Sequence, residues 1–142
     1  YHGPGQLVVY PIVNLKDWGG PVKYVRALEQ VVIATLAEMG ITANCESGNT
    51  GVWTGQGKIA AIGVKISRGI AFHGLALNVN TDLTYYQNII PCGIADRPVT
   101  SMASILREPV DMELVRYGLV YQFGREFGWT MEDGLPEQVT VL

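Results

Sequence analysis

Apolar residues recur every three or four positions between Pro21 and Gly40, and this spacing predicts an amphipathic helix. Proline suits the first turn of a helix, and glycine suits the position just after its last turn. The apolar positions of this helix are Val22, Val25, Leu28, Val32, Leu36 and Met39. A second helix is predicted from Asp111, as N-cap, to about Phe127. Its predicted apolar side consists of Leu114, Tyr117, Val120, Tyr121 and Phe127.

Segments rich in β-branched residues predict strands on both sides of the first helix. The run Leu7–Val13 precedes that helix, and shorter segments at Ile41–Ala43 and Gly51–Trp53 follow it. Two longer runs, Lys58–Ile66 and Ile70–Val79, come next in the chain. Two helices with several strands indicate an α/β or α+β fold class.

The two longer runs predict a hairpin, because only Ser67-Arg68-Gly69 separates them. Three residues ending in glycine match a loop made of a type I turn and a left-handed glycine. Pairing Ile66 with Ile70 then places Ala61 opposite Leu75, and Gly63 opposite His73. A slip of one residue would exchange the two faces of each strand.

Length and composition restrict the function classes that need to be considered. The 142 residues predict one domain, and 48% hydrophobic residues exclude a disordered chain. No apolar run approaches the length of a membrane span, and the net charge of −3 argues against nucleic-acid binding. Two cysteines without a secretion signal indicate free thiols in a reducing compartment, so we expect a cytoplasmic protein.

Cys92 is the first candidate for chemistry, because Pro91 and Gly93 kink the chain on either side of it. A thiol with a pKa near 8.5 is only about 3% thiolate at pH 7, so a nucleophilic cysteine needs a nearby cation or base. The alternative is a buried structural cysteine, which is common. Cys45 lies in a polar segment beside Glu46, and we interpret it as incidental.

Lys58 is the second candidate, because it opens an otherwise apolar strand after Gly55 and Gly57. It can extend to solvent, or it can supply the cation or base that a thiol requires. His2 and His73 are the only histidines; either can pair with a cysteine or be structural, and the pair is a poor case for zinc. No phosphate-binding or dinucleotide motif is present, so neither a metal nor a nucleotide cofactor is expected.

Several segments together are similar to the lipoyl (octanoyl) transferase family of protein lipoylation. The match spans about residues 1–100, and no single motif carries it. The matching segments are Tyr1-His2-Gly3-Pro4-Gly5-Gln6-Leu7 with Tyr10-Pro11, Gly51-Val52-Trp53, Lys58-Ile59-Ala60-Ala61-Ile62-Gly63, His73-Gly74-Leu75-Ala76-Leu77-Asn78 and Pro91-Cys92-Gly93-Ile94.

The resemblance implies an octanoyl group moved from acyl carrier protein to a lysine on the lipoyl domain of a 2-oxoacid dehydrogenase or of the glycine-cleavage H protein. It implies that Cys92 forms the acyl thioester and that Lys58 lowers the cysteine pKa and handles its proton. The implied substrate-binding residues are Tyr1, His2, Ala61, Ile62, Gly63, Gly74, Leu75 and Ala76, with His73 and Asn78 in support. The implied fold is a mixed β-sheet flanked by helices, shared with biotin and lipoate protein ligases.

Two other functions remain open at this point. An ATP-dependent lipoate or biotin ligase would activate a free acid, although such an enzyme needs no nucleophilic thiol. A non-catalytic module would only bind acyl carrier or lipoyl domains. The family also has an Arg-Gly-Gly strand immediately before its Tyr-His, and this sequence starts at Tyr1. We therefore expect residues 1–142 to form a single catalytic domain that lacks its N-terminal segment.

Overall fold

A computed structural model describes residues 2–84 and 97–134 of the chain. Six strands, one 3₁₀ turn and three α-helices lie in these ranges. In chain order they are β1 (Gln6–Val9), β2 (Val13–Asn14), the 3₁₀ turn (Leu15–Asp17), α1 (Pro21–Glu38), β3 (Asn44–Glu46), β4 (Asn49–Thr54), β5 (Gly57–Ser67), β6 (Ile70–Asn78), α2 (Met102–Leu106) and α3 (Met112–Phe127).

The six strands form one sheet in the order β1-β6-β5-β4-β3, and β2 pairs with the same edge of β6 as β1 does. These named strands pair antiparallel, and within the described ranges one parallel bridge joins Lys58 to Val99. Helix α1 packs on the central strands, and α3 packs on α1. One face of the sheet is therefore covered by helices, and the expected fold class of a sheet flanked by helices is confirmed.

Helix α1 agrees closely with its prediction. It begins at Pro21 and ends at Glu38, with Gly40 in the left-handed conformation that follows many helices. Leu28, Val32 and Leu36 are completely buried in the core, as the apolar spacing predicted. Val22 is an exception, because it lies in the first turn and its side chain is 78% exposed.

Helix α3 has the predicted bounds, but the predicted apolar side is wrong. Asp111 is the N-cap and its side chain accepts a hydrogen bond from the backbone N–H of Glu113. Leu114, Tyr117, Val120 and Tyr121 are exposed, whereas Phe127 is buried as predicted. The buried side consists of Val115, Leu119, Gln122, Phe123 and Phe127. Both stripes have helical spacing, and the aromatic contacts of Phe123 and Phe127 favour the second.

Two strand predictions and one missing helix need correction. Ile41–Ala43 is not a strand; β3 begins at Asn44 and includes Cys45. The opening run Leu7–Val13 is divided into β1 and β2 around Pro11, which has no N–H to donate to a neighbouring strand. The short helix α2 was not predicted, and Ser101 caps it by accepting from the N–H of Ser104.

The predicted β5–β6 register is wrong by one residue. Ser67 pairs with Ile70, so the loop contains only Arg68 and Gly69. Both residues have positive φ, 52° and 80°, as a two-residue type I′ loop requires. The predicted three-residue loop has a left-handed backbone only at Gly69, because arginine uncommonly adopts this conformation. The correction changes which side chains share a face along both strands.

Candidate functional site

The face of the sheet opposite the helices carries a groove whose floor is made of small residues. Ala61 lies directly opposite Ala76, and Gly63 lies directly opposite Gly74. Ile62, which comes between Ala61 and Gly63, packs against the core on the other face. The groove has a volume of about 530 Å³, within the range of small-molecule sites. In the observed register every residue of Ala61–Gly63 is therefore opposite a residue of Gly74–Ala76, whereas the predicted register offsets these two implied substrate segments by one residue.

Gly74 lies in the groove floor where another strand approaches closely. A Cβ atom at this position would lie 2.3 Å from the Val9 carbonyl oxygen and 2.6 Å from Pro11 Cδ. A Cβ at Gly63, across the hairpin, would meet nothing within 4 Å. Only glycine therefore fits at position 74, whereas position 63 has open space above it.

Lys58 is brought to the groove by a β-bulge. The register of β4 with β5 shifts after Val52 pairs with Ala60, so that Trp53 pairs with Lys58 and Ile59 is the extra residue. Ile59 and Ala60 are consequently both in the core, although adjacent strand residues normally face opposite sides. The bulge thereby turns Lys58 to the groove side, where it lines one end. Its backbone N–H donates to the Pro98 carbonyl at 3.0 Å.

His73 reaches the groove through a strained backbone. It lies between Ala71 and Leu75, which are buried in the core, and strand alternation would point it the same way. Its φ is +60°, its side chain is exposed, and its ring lies 5.1 Å from Phe72 and 5.7 Å from Tyr10. Rings of neighbouring strand residues come this close only when both are on one side. The left-handed conformation therefore turns the imidazole toward the groove.

The strain at His73 can be measured by comparing two substitutions. Both His73→Gly and His73→Ala remove the ring contacts, but alanine keeps the cost of the left-handed backbone and glycine does not. We expect the glycine variant to have the larger free energy of unfolding, by about 1 kcal/mol. Urea unfolding of the two variants measures the difference. Equal stabilities would show that the backbone at this position is not strained.

Lys58 and His73 mark opposite ends of the groove. His73 is opposite Val64, six residues along β5 from Lys58, which separates their backbones by roughly 20 Å. The described lining includes the cations Lys58 and Lys65, the two histidines and no carboxylate. The groove is thus apolar along its floor and basic at its rim.

Asn78 connects the groove to the segment that follows it. Its side-chain N–H₂ donates to the Thr100 carbonyl at 3.1 Å, and its oxygen accepts from Gln6 Nε2 at 3.0 Å. The Gln6 oxygen in turn lies 3.1 Å from Nδ1 of His2, which is exposed at the groove. Asn78 is buried, so its hydrogen bonds fix strand β1 and residue 100 relative to β6.

The chain resembles proteins of a known family over most of its length. Residues 1–124 match the model of the lipoyl protein ligase A/B catalytic domain. The chain belongs to this family. The expected resemblance to octanoyltransferases is confirmed by similar proteins. An octanoyltransferase of Solibacter usitatus is 52% identical over 94% of the chain. An octanoyltransferase of Alkaliphilus metalliredigens is 49% identical over 91% of it. In both cases the chain spans 60% of the relative's own length.

Solved structures confirm the expected fold. A putative lipoate protein ligase from Thermoplasma acidophilum with bound lipoic acid aligns with a TM-score of 0.77 at 20% identity, covering 96% of this chain and 58% of the other. A biotin protein ligase from Aquifex aeolicus aligns with a TM-score of 0.71 at 21% identity, covering 87% and 53%. The lipoyl protein ligase A/B catalytic domain thus shares its fold with enzymes of both names.

Two of the residues implied by the resemblance, Tyr1 and Cys92, lie outside the described residues of this catalytic domain. The other implied substrate residues and the two supporting residues lie on or beside the groove, although Ile62 and Leu75 point toward the core. Among residues 2–84 and 97–134 no three potential ligands of the His, Cys, Asp or Glu type are grouped to hold a metal ion. Within the same ranges no helix has the length and hydropathy that a bilayer span requires.

Sequence reasoning missed the side chains around Lys58 in this catalytic domain. Trp53 was matched only as part of the segment Gly51-Val52-Trp53, with no role of its own, and Arg97 was not singled out. The Trp53 ring lies 5.2 Å from Lys58 Nζ and 5.0 Å from Arg97 Cζ. Arg97 also forms a two-pronged ion pair with Glu46, and these hydrogen bonds lower the pKa of the Glu46 carboxyl. Strand alternation is the signal that could have found Trp53, because it places this residue on the face opposite its core neighbour Val52.

Proposed function

We propose that this protein transfers an octanoyl group from octanoyl-acyl carrier protein to a lysine of a lipoyl domain through a thioester on Cys92. The observation that carries the proposal is the groove, an apolar slot with Lys58 at one end, in a chain that is 52% identical to an octanoyltransferase. The acceptors are the lipoyl domains of 2-oxoacid dehydrogenases and the glycine-cleavage H protein. Tyr1, His2, Ala61–Gly63 and Gly74–Ala76 are the proposed substrate-binding residues.

The proposed reaction has two acyl transfers, each with balanced bonds and protons. In the first, Lys58 takes the proton of the Cys92 thiol and the thiolate attacks the carrier thioester; the new carbon–sulfur bond to Cys92 replaces the carrier's carbon–sulfur bond, and the carrier sulfur leaves as a thiol with the proton returned by Lys58. In the second, the lysine amine attacks the Cys92 thioester, an amide forms, and the amine proton passes through Lys58 to the departing Cys92 sulfur. The first step exchanges one thioester for another of similar energy, so no ATP is needed.

The groove suits the acyl chain of this reaction. Its floor of paired alanines and glycines leaves space along the sheet, and burial of the methylene groups there is favourable. The basic rim formed by Lys58 and Lys65 suits acidic protein partners, although the whole chain has a net charge of −3. His73 and Asn78 support the two ends, one through its ring and the other through its hydrogen bonds.

The experiment that tests the proposal compares two acyl donors on the same lipoyl domain. With octanoyl-acyl carrier protein and no ATP, mass spectrometry should find one octanoyl group on the acceptor lysine and one on the Cys92 peptide. The fold is also that of lipoate and biotin ligases, which favours a second candidate. Labelling that requires free octanoate and ATP would establish the ligase instead. Binding of both proteins without modification of either would leave only a binding module.

A further inference from the structure

Trp53 is buried on the groove side of the sheet. Only 7% of the residue is exposed, although it is not a member of the core cluster beneath the sheet that contains its neighbour Val52. The ring lies on the groove side of β4, where two cationic side chains cover it. A large aromatic ring that is buried beneath two cationic side chains, on the side of the sheet away from the core cluster, is suited to holding those groups.

The Lys58 side chain is held by its packing over Gly51 and by the Trp53 ring. A Cβ at Gly51 would lie 2.7 Å from Lys58 Cε, so the lysine stem passes directly over that glycine. Nζ then lies 5.2 Å from the centre of the Trp53 ring, a cation–π distance. Among residues 2–84 and 97–134 no carboxylate forms an ion pair with Lys58. Its ammonium charge is therefore left available to the groove.

The second cation on the ring is neutralised, and this distinguishes it from Lys58. The Arg97 guanidinium binds both carboxylate oxygens of Glu46, one of them at 2.6 Å. Glu29, from helix α1, accepts from the Gly51 N–H at 3.4 Å and pairs with Arg26 on the covered face of the sheet. Of the charged groups around the ring, Lys58 is the one directed to the groove without a paired acid in the described ranges.

We propose that Trp53 is a positioning residue, whose ring holds the Lys58 ammonium at the end of the groove where it stabilises the Cys92 thiolate. The inference rests on the proposed function, because it takes Cys92 as the nucleophile and Lys58 as its cation. Trp53 acts only through Lys58: it does not touch substrate in this scheme. A ring that retains a π face should partly preserve the effect, and an aliphatic side chain of similar burial should not.

The test measures how fast iodoacetamide alkylates Cys92 between pH 6 and pH 9.5, with mass spectrometry separating the Cys92 and Cys45 peptides. We expect Trp53→Leu to slow alkylation of Cys92 about fivefold at pH 7 and to restore the wild-type rate near pH 9.5. Trp53→Phe should lie between wild type and Trp53→Leu. In a Lys58→Ala background, Trp53→Leu should have no further effect. Thermal unfolding confirms that each variant is folded.

Three results would overturn the inference. Trp53→Leu with a wild-type pH profile would show that the ring does not hold the ammonium. Equal slowing by Trp53→Leu with and without Lys58 would show that the ring acts by another route. If Lys58→Ala itself left the pH profile unchanged, the proposed role of Lys58 would fail and the inference with it. If the wild-type protein formed no octanoyl adduct but its Cys92 alkylation depended on pH, Lys58 and Trp53 as expected, the proposed transfer would be contradicted and the role of Trp53 would stand.

Discussion

Serine at position 92 should abolish octanoyl transfer while leaving the protein folded. A serine hydroxyl is far less acidic than a thiol and is not ionised by a nearby ammonium, so it cannot replace the thiolate as nucleophile. We expect the rate of transfer from octanoyl-acyl carrier protein to a lipoyl domain to fall at least about a thousandfold. Mass spectrometry of the acceptor lysine measures the rate, and the octanoyl adduct on the enzyme should be absent.

The sequence offers a matched control for this substitution, because Cys45 is the only other cysteine. It is half-buried in β3, and its sulfur lies 4.0 Å from Gln30 Nε2. Cys45→Ser should retain transfer within a few fold of wild type. A Cys92→Ser variant with comparable transfer, or an equal loss in Cys45→Ser, would rule out the proposed thioester on Cys92.

Alanine at position 74 should destabilise the fold, whereas alanine at position 63 should not. The added methyl group at Gly74 meets the Val9 carbonyl oxygen and the Pro11 ring, and neither can move without separating β1 from β6. We expect a loss of about 3 kcal/mol in the free energy of unfolding, a large part of the stability of a domain of this size. Urea unfolding monitored by circular dichroism measures this loss.

Gly63→Ala is the control for Gly74→Ala, because the two residues are directly opposite each other across the hairpin. Its methyl group enters open groove space, so we expect a change of less than about 1 kcal/mol. Equal destabilisation by the two substitutions would show that the β1 edge can move away from Gly74. It would also remove the steric reason for glycine at that position.

The sequence predicted the elements whose local signals agree with their tertiary environment. Pro21 and Gly40 delimit α1 correctly, and Asp111 caps α3 as expected. The sequence pattern failed where two different sets of residues have the same helical spacing. Helix α3 has two apolar stripes, and contacts with distant rings such as Trp18 decide which is buried. The hairpin register failed because Arg68 adopts a left-handed backbone that residue type does not favour.

The candidate site was predicted by resemblance more than by pattern, and its geometry could not be read from alternation. Lys58 and His73 would both face the core in regular strands. A bulge turns Lys58 outward, and a positive φ does the same for His73. Deviations of this kind are more frequent at functional sites than elsewhere in a sheet. The sequence assigns Trp53 no role of its own, whereas the structure places the side chains of Lys58 and Arg97 over its ring.

The alternation along β5 and β6 has an evolutionary consequence. Ala61 and Gly63 line the groove, while Ile62 between them packs on the helices, so neighbouring codons serve separate purposes. Substitution at Ala61 or Gly63 can therefore change the lining of the groove without disturbing the core, whereas Gly74, which packs against Val9 and Pro11, cannot be replaced in this way. Along this part of β5 the shape of the groove and the stability of the core are therefore set by different residues.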